Sequence, residues 1–478
     1  MHQITNLLHD SIMFDLELSL LILLIISILA VCAFEFINGF HDTANAVATV
    51  IYTNSLKPQQ AVILSGILNS IGVFVGGIGV AMGIIHLLPT EALLNQTVWE
   101  SVGMILALLL TAILWNLGTW YLSIPCSSSH TLIGSILGVG IAFAHLPGNA
   151  DVNINWSKAG EVGLSLLISP FLGLLMAGIL MFVLSKLIKN REIFETPDPK
   201  KVPPTWIRSI LIFTCAGVSF SHGSNDGQKG VGLLMLVLIS ILPVKYALNM
   251  ETTPEQYQES IALVETAVKK IDVAALSSTD RIFVEQCRKD IADISVLMNI
   301  PQSKWDEKVV TGIRKEIFLL DKDIKKLSGK TLSGIPEHDR KIIKTRFERF
   351  KSHTTDYAPR WVIVLISLSL GIGTMIGWKK IVVTIGEKIG KSHLTYAQGA
   401  SAELIATLTI GFSSFVFHLP VSTTHILSSG VAGTMVASNG LKNLQASTIK
   451  SIALAWLLTL PVCIIVSYLL FGFFRLIF

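Results

Sequence analysis

Several stretches of this chain are apolar and long enough to cross a lipid bilayer, for example residues 18–37, 60–85, 102–122, 162–187 and 449–474. About 20 apolar residues in a helix span the hydrocarbon core. Backbone polar groups in that core must be satisfied within the segment, which favours helices. Since 51% of the 478 residues are hydrophobic, we expect an all-α polytopic membrane protein with about ten to twelve spans.

The charged residues are concentrated in one segment. More than half of the 70 Lys, Arg, Asp and Glu residues (37 basic plus 33 acidic) lie between Lys245 and Arg360. Apolar residues recur there at helical spacing, as at Ile261, Val264 and Val268. The segment has no metal-ligand spacing and no phosphate-binding loop. It predicts a soluble helical insert on the cytoplasmic side, and a regulatory role is left open.

Loop charge predicts the orientation in the membrane. Loop 185–208 carries six basic residues, whereas residues 1–17 and loop 86–101 carry none. The first loop should therefore be cytoplasmic and the other two external. Loop 378–392 is also basic and fits this topology poorly. The first apolar run lacks a basic leader and a cleavage site, so we interpret it as a retained span.

A polar motif that contains glycine occurs twice between the apolar stretches. Residues 38–46 read NGFHDTANA, and residues 222–230 read HGSNDGQKG. Aligning Gly39 with Gly223 also aligns Asp42 with Asp226, at an offset of 184 residues. An ionisable residue among membrane spans is costly and is by default a functional candidate. Two at matching places indicate one site built from two related halves.

A second repeat supports a duplication. Residues 125–130 read PCSSSH and residues 420–425 read PVSTTH, at an offset of 295 residues, which is 111 more than the first offset. The difference is close to the length of the charged segment. We therefore predict a first membrane repeat at 1–190, a linker and the start of the second repeat at 191–244, the insert at 245–360, and the remainder of the second repeat at 361–478.

Residues 206–243 predict a segment that enters the membrane and returns. Two short apolar arms flank the polar residues 221–230, and neither arm is long enough to span alone. The second motif would then be reached from the cytoplasm, and the first from outside. Opposite approaches are typical of inverted-topology repeats with broken or re-entrant helices.

The residue types in these motifs suit an anion together with a coupling cation. Glycines let the backbone leave helical geometry, and a half-helix that starts at such a break presents N–H groups to an anion. The carboxylates of Asp42 and Asp226 suit a proton or a hard cation. The hydroxyl clusters serve as helix caps, as an oxyanion site or as both; their residues are Ser127, Ser128, Ser129, Ser422, Thr423 and Thr424.

Four further side chains carry open alternatives. His130 and His425 could donate to an anion, relay protons or simply pack. Lys229 could pair with Asp226 or offset substrate charge. Glu403 is a cation or proton site, or else a charge at a loop end.

These motifs resemble the signatures of the inorganic phosphate transporter family, Gly-x-Asn-Asp-x-x-Asn-Ala and Pro-x-Ser-Ser/Thr-Thr/Ser-His, in both membrane halves. The variants here are similar to the bacterial low-affinity, proton-coupled branch. That resemblance implies a secondary transporter that imports inorganic phosphate by proton symport across a bacterial cytoplasmic (inner) membrane. The substrate would be phosphate, or its neutral complex with a divalent cation such as Mg, Ca or Zn. It implies no cofactor.

The resemblance also assigns residues. It implies coupling-ion and substrate roles for Asp42, Asn45, Asn225 and Asp226, phosphate binding for the two hydroxyl clusters, and an acidic site at Glu403. Two departures favour protons over sodium. Asn69 stands where sodium-coupled relatives carry glutamate, and Lys229 stands where the motif has asparagine.

The alternatives are a sodium-coupled phosphate or sulfate permease and, from another class, an anion channel. An enzyme is disfavoured, because no nucleophile–base pair, metal cage or phosphate loop stands out. The expected surroundings are the lipid bilayer and no nucleic acid. Self-association and any metal ligand set are left open.

Overall fold

The computed structural model describes residues 17–88, 97–147, 149, 154–198, 200–328, 335–377 and 379–477, without the side chains of residues 43–45, 275, 279, 328, 380, 385 and 387. Within these ranges the regular elements are helices, apart from one isolated bridge between Gly390 and Leu444. The predicted all-α class is confirmed. The chain forms two compact units. The larger part of the insert unit is Leu238–Ala358, and the membrane unit contains most of the helices before and after that range.

The membrane unit contains eleven of the helices that we number. They are α1 (Leu18–Tyr52), α2 (Pro58–Val75), α3 (Gly79–Ile85), α4 (Val98–Tyr121), α5 (Ser128–Ala144), α6 (Trp156–Leu187), α7 (Thr205–Ile241), α12 (Arg360–Met375), α13 (Tyr396–Phe412), α14 (Thr423–Asn439) and α15 (Ala446–Phe474). The insert unit contains α8 (Pro254–Lys269), α9 (Ser278–Met298), α10 (Glu307–Ser328) and α11 (Glu337–Thr354). Single turns at Arg191–Phe194, Pro243–Tyr246, Val273–Ala275, Gln302–Lys304, Lys379–Val383, Thr384–Lys388, Ser413–Phe417 and Leu441–Asn443 complete the described elements.

Six of the described helices are long and apolar enough to cross a membrane: α1, α2, α4, α6, α13 with its following turn, and α15. Two shorter apolar helices are α5 and α12. The predicted spans therefore lie in helices, except that stretch 60–85 is divided. It breaks between α2 and α3, where Gly77 adopts a φ of +76° that favours glycine. The total of ten to twelve crossings stays a prediction.

The first motif does not break its helix. α1 continues through residues 38–46 as one 35-residue helix, so the predicted break at Gly39 is wrong. The glycine instead allows close helix packing. A Cβ at Gly39 would clash with the carbonyl oxygen of Leu370 in α12, and one at Gly373 would clash with that of Phe36 in α1.

The second motif is also inside a continuous helix. α7 runs for 37 residues, or about 55 Å, so the predicted entry and return of segment 206–243 is wrong. The cytoplasmic placement of the two flanking loops stays a prediction. The reason is again packing: a Cβ at Gly223 would clash with the Asn69 carbonyl of α2, and one at Gly72 with the Phe220 carbonyl of α7.

The helix pairs are exchanged between the two halves. α1 packs on α12 of the second half, and α7 packs on α2 of the first at Gly223 and Gly72. The glycines at these contacts occupy related positions of the two repeats. Gly223 follows Gly39 by 184 positions, which is the offset of the aspartate motifs. Gly373 follows Gly72 by 301 positions, which is close to the offset of 295 between the hydroxyl clusters. In the same way α15 packs on α5, and α14 packs on α6. This exchange supports a duplicated unit; the inverted orientation of the copies stays a prediction.

Two short helices, α5 and α14, begin at the hydroxyl clusters. α5 and α14 have 17 residues each, about 26 Å, which is short for a full span. Ser127 and Ser422 are their N-caps, and each hydroxyl accepts a hydrogen bond from a backbone N–H three residues on. The first residues of both helices are buried, so each helix begins inside the membrane unit.

The insert unit is a bundle of four helices, in which α8 packs on α11 and α9, and α10 packs on α9 and α11. The predicted apolar series Ile261, Val264 and Val268 is buried. Lys351 is also buried and lies 2.9 Å from Asp321. Burial alone would lower the pKa of Lys351, but the charges of Asp356, Asp321 and Glu348 outweigh it and raise the pKa.

Candidate functional site

Asp42 joins three of the four sequence motifs. Its side chain is buried, and it accepts hydrogen bonds from the hydroxyls of Ser128 at 2.8 Å and Thr424 at 2.5 Å. Ser128 begins α5 and Thr424 is the second residue of α14. The N-terminal ends of both short helices therefore converge on one carboxylate. Helix N-termini favour negative charge, which stabilises an ionised group at this place.

His222 lies between the two motif aspartates. Its Nε2 is 3.9 Å from Asp42 Oδ2 and 3.6 Å from Asp226 Oδ2. Its Nδ1 is 3.0 Å from Asn69 Oδ1, and the Asn69 amide donates to Thr374 at 2.9 Å. Ligand atoms of Asp42, His222 and Asp226 lie within 4.8 Å of one another. Two carboxylates and an imidazole could share a proton or hold a cation.

The side chain of Lys229 places a positive charge next to Asp226. Its Nζ lies 2.8 Å from Asp226 Oδ1 and donates to Ser129 Oγ at 2.5 Å. The side chain is completely buried. The pairing of Lys229 with Asp226, one of the two alternatives, is therefore present. The ammonium therefore lies directly beside one carboxylate oxygen of Asp226.

Asn225 and Ser129 hold the chain just before α14. The Asn225 amide donates to Ser414 Oγ and to the Leu419 carbonyl, and its oxygen accepts from Val421 N–H. Ser129 donates to the Val421 carbonyl at 2.8 Å. In this structure both predicted binding residues therefore position the loop that carries Pro420 and the second hydroxyl cluster.

His130 and His425, which end the two hydroxyl-cluster motifs, lie next to each other. The rings of His130 and His425 have centroids 4.5 Å apart, and the His425 ring lies 3.9 Å from that of Trp456. His130 Nδ1 is 2.9 Å from Ser127 Oγ. His425 is buried, and neither of its ring nitrogens hydrogen-bonds to a described residue. Two imidazolium ions would repel at this distance, so a positive charge on one ring disfavours a positive charge on the other.

Glu403 lies apart from the aspartate network. It is completely buried and accepts from Thr214 Oγ1 at 2.6 Å. Thr214 precedes Asp226 by twelve residues in α7, or about 18 Å. Thr423 is buried at the start of α14. Asn45 belongs to α1, but its side chain is outside the described part of the structure.

Sequence reasoning missed several polar residues of this region. The most prominent is Glu35, which is completely buried one turn before Asn38. The sequence contained a pattern that could have identified Glu35, because Glu35, Asn38 and Asp42 follow the i, i+3, i+7 spacing of one helix face. Gln228 was also missed; its side chain binds Val80 N–H and the Gly76 carbonyl, and so holds the break between α2 and α3.

Long apolar helices around a buried, charged network from two related halves define a multi-pass membrane protein of the transporter class. The chain belongs to the phosphate transporter family: the model of that family, described as "Phosphate transporter family", matches residues 38–467. This confirms the predicted family. It also confirms the prediction that the protein is a transporter and not an enzyme.

Relatives match over nearly the whole chain. It is 42% identical to the "Low-affinity inorganic phosphate transporter" of Buchnera aphidicola subsp. Acyrthosiphon pisum, with 96% of this chain and 97% of the relative covered. It is 40% identical to the "Low-affinity inorganic phosphate transporter PitA" of Escherichia coli K12, with 95% and 96% covered. A solved structure titled "The sodium-dependent phosphate transporter" matches 95% of this chain and 100% of its own, with a TM-score of 0.53 and 20% identity. At that identity it supports the fold alone.

Proposed function

We propose that this protein is a secondary carrier that imports inorganic phosphate by proton symport across a bacterial cytoplasmic membrane. Family membership and the names of relatives at 40–42% identity support phosphate as substrate. Alternating access would take place about the Asp42 network, between two inverted repeats. Residues 245–360 would form a soluble insert in this carrier.

The convergence of two helix N-termini on Asp42 is the observation that carries the proposal. Ser128 and Thr424 both donate to the carboxylate, so these hydroxyls are in place to donate to an anion. A phosphate ion beside an ionised Asp42 would be repelled. A proton on Asp42, or a phosphate proton donated to it, removes that repulsion. Proton and phosphate would therefore bind together, with Ser127, Ser129, Ser422 and Thr423 completing the phosphate site.

Lys229 supports protons over sodium as the coupling ion. A mobile sodium ion would compete with a covalently attached ammonium that already lies 2.8 Å from Asp226. Asn69 contributes an amide to His222 and no charge. The coupling site would then be Asp42 with His222 and Asp226. Glu403 and the His130–His425 pair would serve as further proton sites, and Asn45 and Asn225 as substrate contacts.

Purified protein in proteoliposomes tests the proposal. Uptake of labelled phosphate should follow an inward proton gradient and collapse when a protonophore dissipates it. Excess sulfate should compete weakly, because sulfate has no proton to donate at neutral pH. Adding Mg, Ca or Zn should raise the rate if the neutral metal–phosphate complex is carried. Uptake that requires sodium and ignores the proton gradient would overturn the coupling, and non-saturable flux would favour a channel.

Variants locate the site in the same assay. Asp42→Asn and Asp226→Asn should each abolish gradient-driven uptake. Glu161→Gln is the matched control, since Glu161 is exposed and pairs with Lys158 at 3.1 Å. Normal transport by both aspartate variants would refute the site assignment.

A further inference from the structure

We propose that Asn69 and Thr374 are positioning residues that fix the ring proton of His222 on Nδ1, so that Nε2 is the ring nitrogen left to the two motif aspartates. The hydrogen bonds that carry this inference do not depend on what the protein transports. The consequence for transport rests on the proposed function above.

A chain of three hydrogen bonds connects His222 to helix α12. The Thr374 hydroxyl donates to the Leu370 carbonyl of its own helix at 2.9 Å. Because the hydroxyl proton points to that carbonyl, the Thr374 oxygen accepts, and the Asn69 amide donates to it at 2.9 Å. The Asn69 nitrogen therefore faces Thr374, and the Asn69 oxygen lies 3.0 Å from His222 Nδ1. A carbonyl oxygen has no proton to donate, so Nδ1 must carry one.

The same hydrogen bonds leave the other ring nitrogen facing the acids. Nε2 of His222 is buried and has no hydrogen-bond partner among the described residues. It lies 3.9 Å from Asp42 Oδ2 and 3.6 Å from Asp226 Oδ2. With the proton on Nδ1, a neutral ring presents the lone pair of Nε2 on the side of these carboxylates. In the opposite tautomer, Nδ1 and the Asn69 oxygen would be two acceptors facing each other, and a hydrogen bond would be lost.

The three side chains come from three helices that pack closely. His222 belongs to α7, Asn69 to α2 and Thr374 to α12, and all three residues are buried. A Cβ on Gly223, the residue after His222, would clash with the Asn69 carbonyl. The backbones of α7 and α2 therefore touch where the side chains bond, which restricts the movement of the imidazole. Asn69 orients that ring through a neutral amide and adds no charge to the site.

Nitrogen-15 NMR of histidine-labelled, full-length protein in lipid tests the tautomer, because protonated and bare ring nitrogens differ in chemical shift. The His222 signals are those that disappear in His222→Gln. Above the ordinary histidine pKa of about 6.5, wild type should show a protonated Nδ1. In Asn69→Leu, which keeps the size and removes the acceptor, the proton should move to Nε2. Asn69→Asp keeps the oxygen and should keep the proton on Nδ1.

Thr374 supplies an independent variant. Thr374→Val keeps the shape but removes the oxygen that orients the Asn69 amide, so both tautomers should appear, whereas Thr374→Ser should resemble wild type. The matched control is Thr111→Val in α4. The buried Thr111 hydroxyl also donates to a carbonyl of its own helix, that of Ala107 at 2.8 Å. This control should leave the His222 signals unchanged.

Phosphate uptake by the same proteins in proteoliposomes measures the consequence for transport. It should fall about tenfold in Asn69→Leu, since a buried hydrogen bond is lost, and should be largely retained in Thr374→Ser. Wild-type uptake by a variant whose proton has moved would overturn the role in transport.

The tautomer has its own contradicting outcomes. A bare Nδ1 in wild type, or His222 signals that do not change in Asn69→Leu, overturns the inference. If Asn69→Leu does not fold, unchanged signals in Thr374→Val overturn it in the same way. If wild type carries no phosphate, the proposed function fails, and the NMR comparison still decides the position of the ring proton.

Discussion

The hydroxyl of Thr424 donates a hydrogen bond to the carboxylate of Asp42 across 382 positions of sequence. It joins the second hydroxyl cluster to the first aspartate motif, and so is one of the hydrogen bonds that connect the two halves. A hydrogen bond to a charged group contributes about 1.5–3 kcal/mol, or roughly ten- to hundredfold in an equilibrium. The junction between the halves is therefore a strong and specific one.

Replacing Thr424 tests this junction. Thr424→Val keeps the shape and removes the donor, so phosphate uptake should fall by about tenfold or more, whereas Thr424→Ser should retain most of it. The control is Thr434→Val in the same helix, since the buried Thr434 hydroxyl donates to the Val431 carbonyl of its own helix. The measurement is the initial rate of phosphate uptake in proteoliposomes. Equal rates for Thr424→Val and Thr434→Val would contradict a specific role of the Thr424 hydroxyl.

The sequence alone predicted the helical class, most of the long apolar helices and the family, because apolar length and motif spacing are local properties. It also placed Ser127 and Ser422 at helix starts, where proline followed by a hydroxyl is typical. The structure confirms capping within the clusters, whereas the oxyanion site stays a prediction. Ser127 and Ser422 cap helices, whereas Ser128 and Thr424 bond Asp42.

The course of the chain through the aspartate motifs could not be predicted. Glycine among polar residues fits a helix break and close helix packing equally well, and only the partner helix decides between them. The carbonyl of Asn69 opposite Gly223 comes from a distant part of the sequence. The same holds for Glu35, whose position against Gly230 depends on how α1 crosses α7.

Removing a helix cap should cost stability. Ser422→Ala removes the acceptor for His425 N–H, which lies 3.1 Å away, and should lower the free energy of unfolding by about 1 kcal/mol. Ser422→Asn, which still caps, should stay near wild type. The control is Ser438→Ala near the end of the same helix, where the hydroxyl bonds its own helix at Thr434 O. Denaturant unfolding in detergent measures the difference, and equal effects of both alanines would argue against the cap.

Two glycines of α6 should respond oppositely to alanine. A Cβ at Gly173 would clash with the Ile426 carbonyl of α14, whereas one at Gly163 meets nothing within 4 Å. Gly173→Ala should therefore destabilise by about 1–3 kcal/mol. Gly163→Ala should be neutral or gain up to about 1 kcal/mol, because alanine favours the helix. Tm values of the two variants check this, and a stable Gly173→Ala protein would show that α6 and α14 can separate without cost.

Asp290 of the insert should make stability depend on pH. Its side chain is buried and accepts from Gln286 at 2.7 Å. Burial raises the pKa of this carboxyl, and the charges of Asp323 and Asp293 add to the effect against the opposing hydrogen bond from Gln286. The folded state therefore binds the proton more tightly than the unfolded state.

The sign of that effect sets the prediction for Asp290→Asn. Ionising Asp290 above its raised pKa costs stability, and the cost disappears as the pH falls below the ordinary aspartate value of about 3.9. Asparagine keeps the acceptor for Gln286 and offers an N–H toward the neighbouring carboxylates. The variant should therefore slow hydrogen exchange of the α9 amides at pH 7 in the full-length protein, and the difference from wild type should vanish near the acid limit. Glu259→Gln, at an exposed position of α8, should show no such pH-dependent difference; faster exchange in Asp290→Asn at pH 7 would mean that the carboxylate stabilises the bundle.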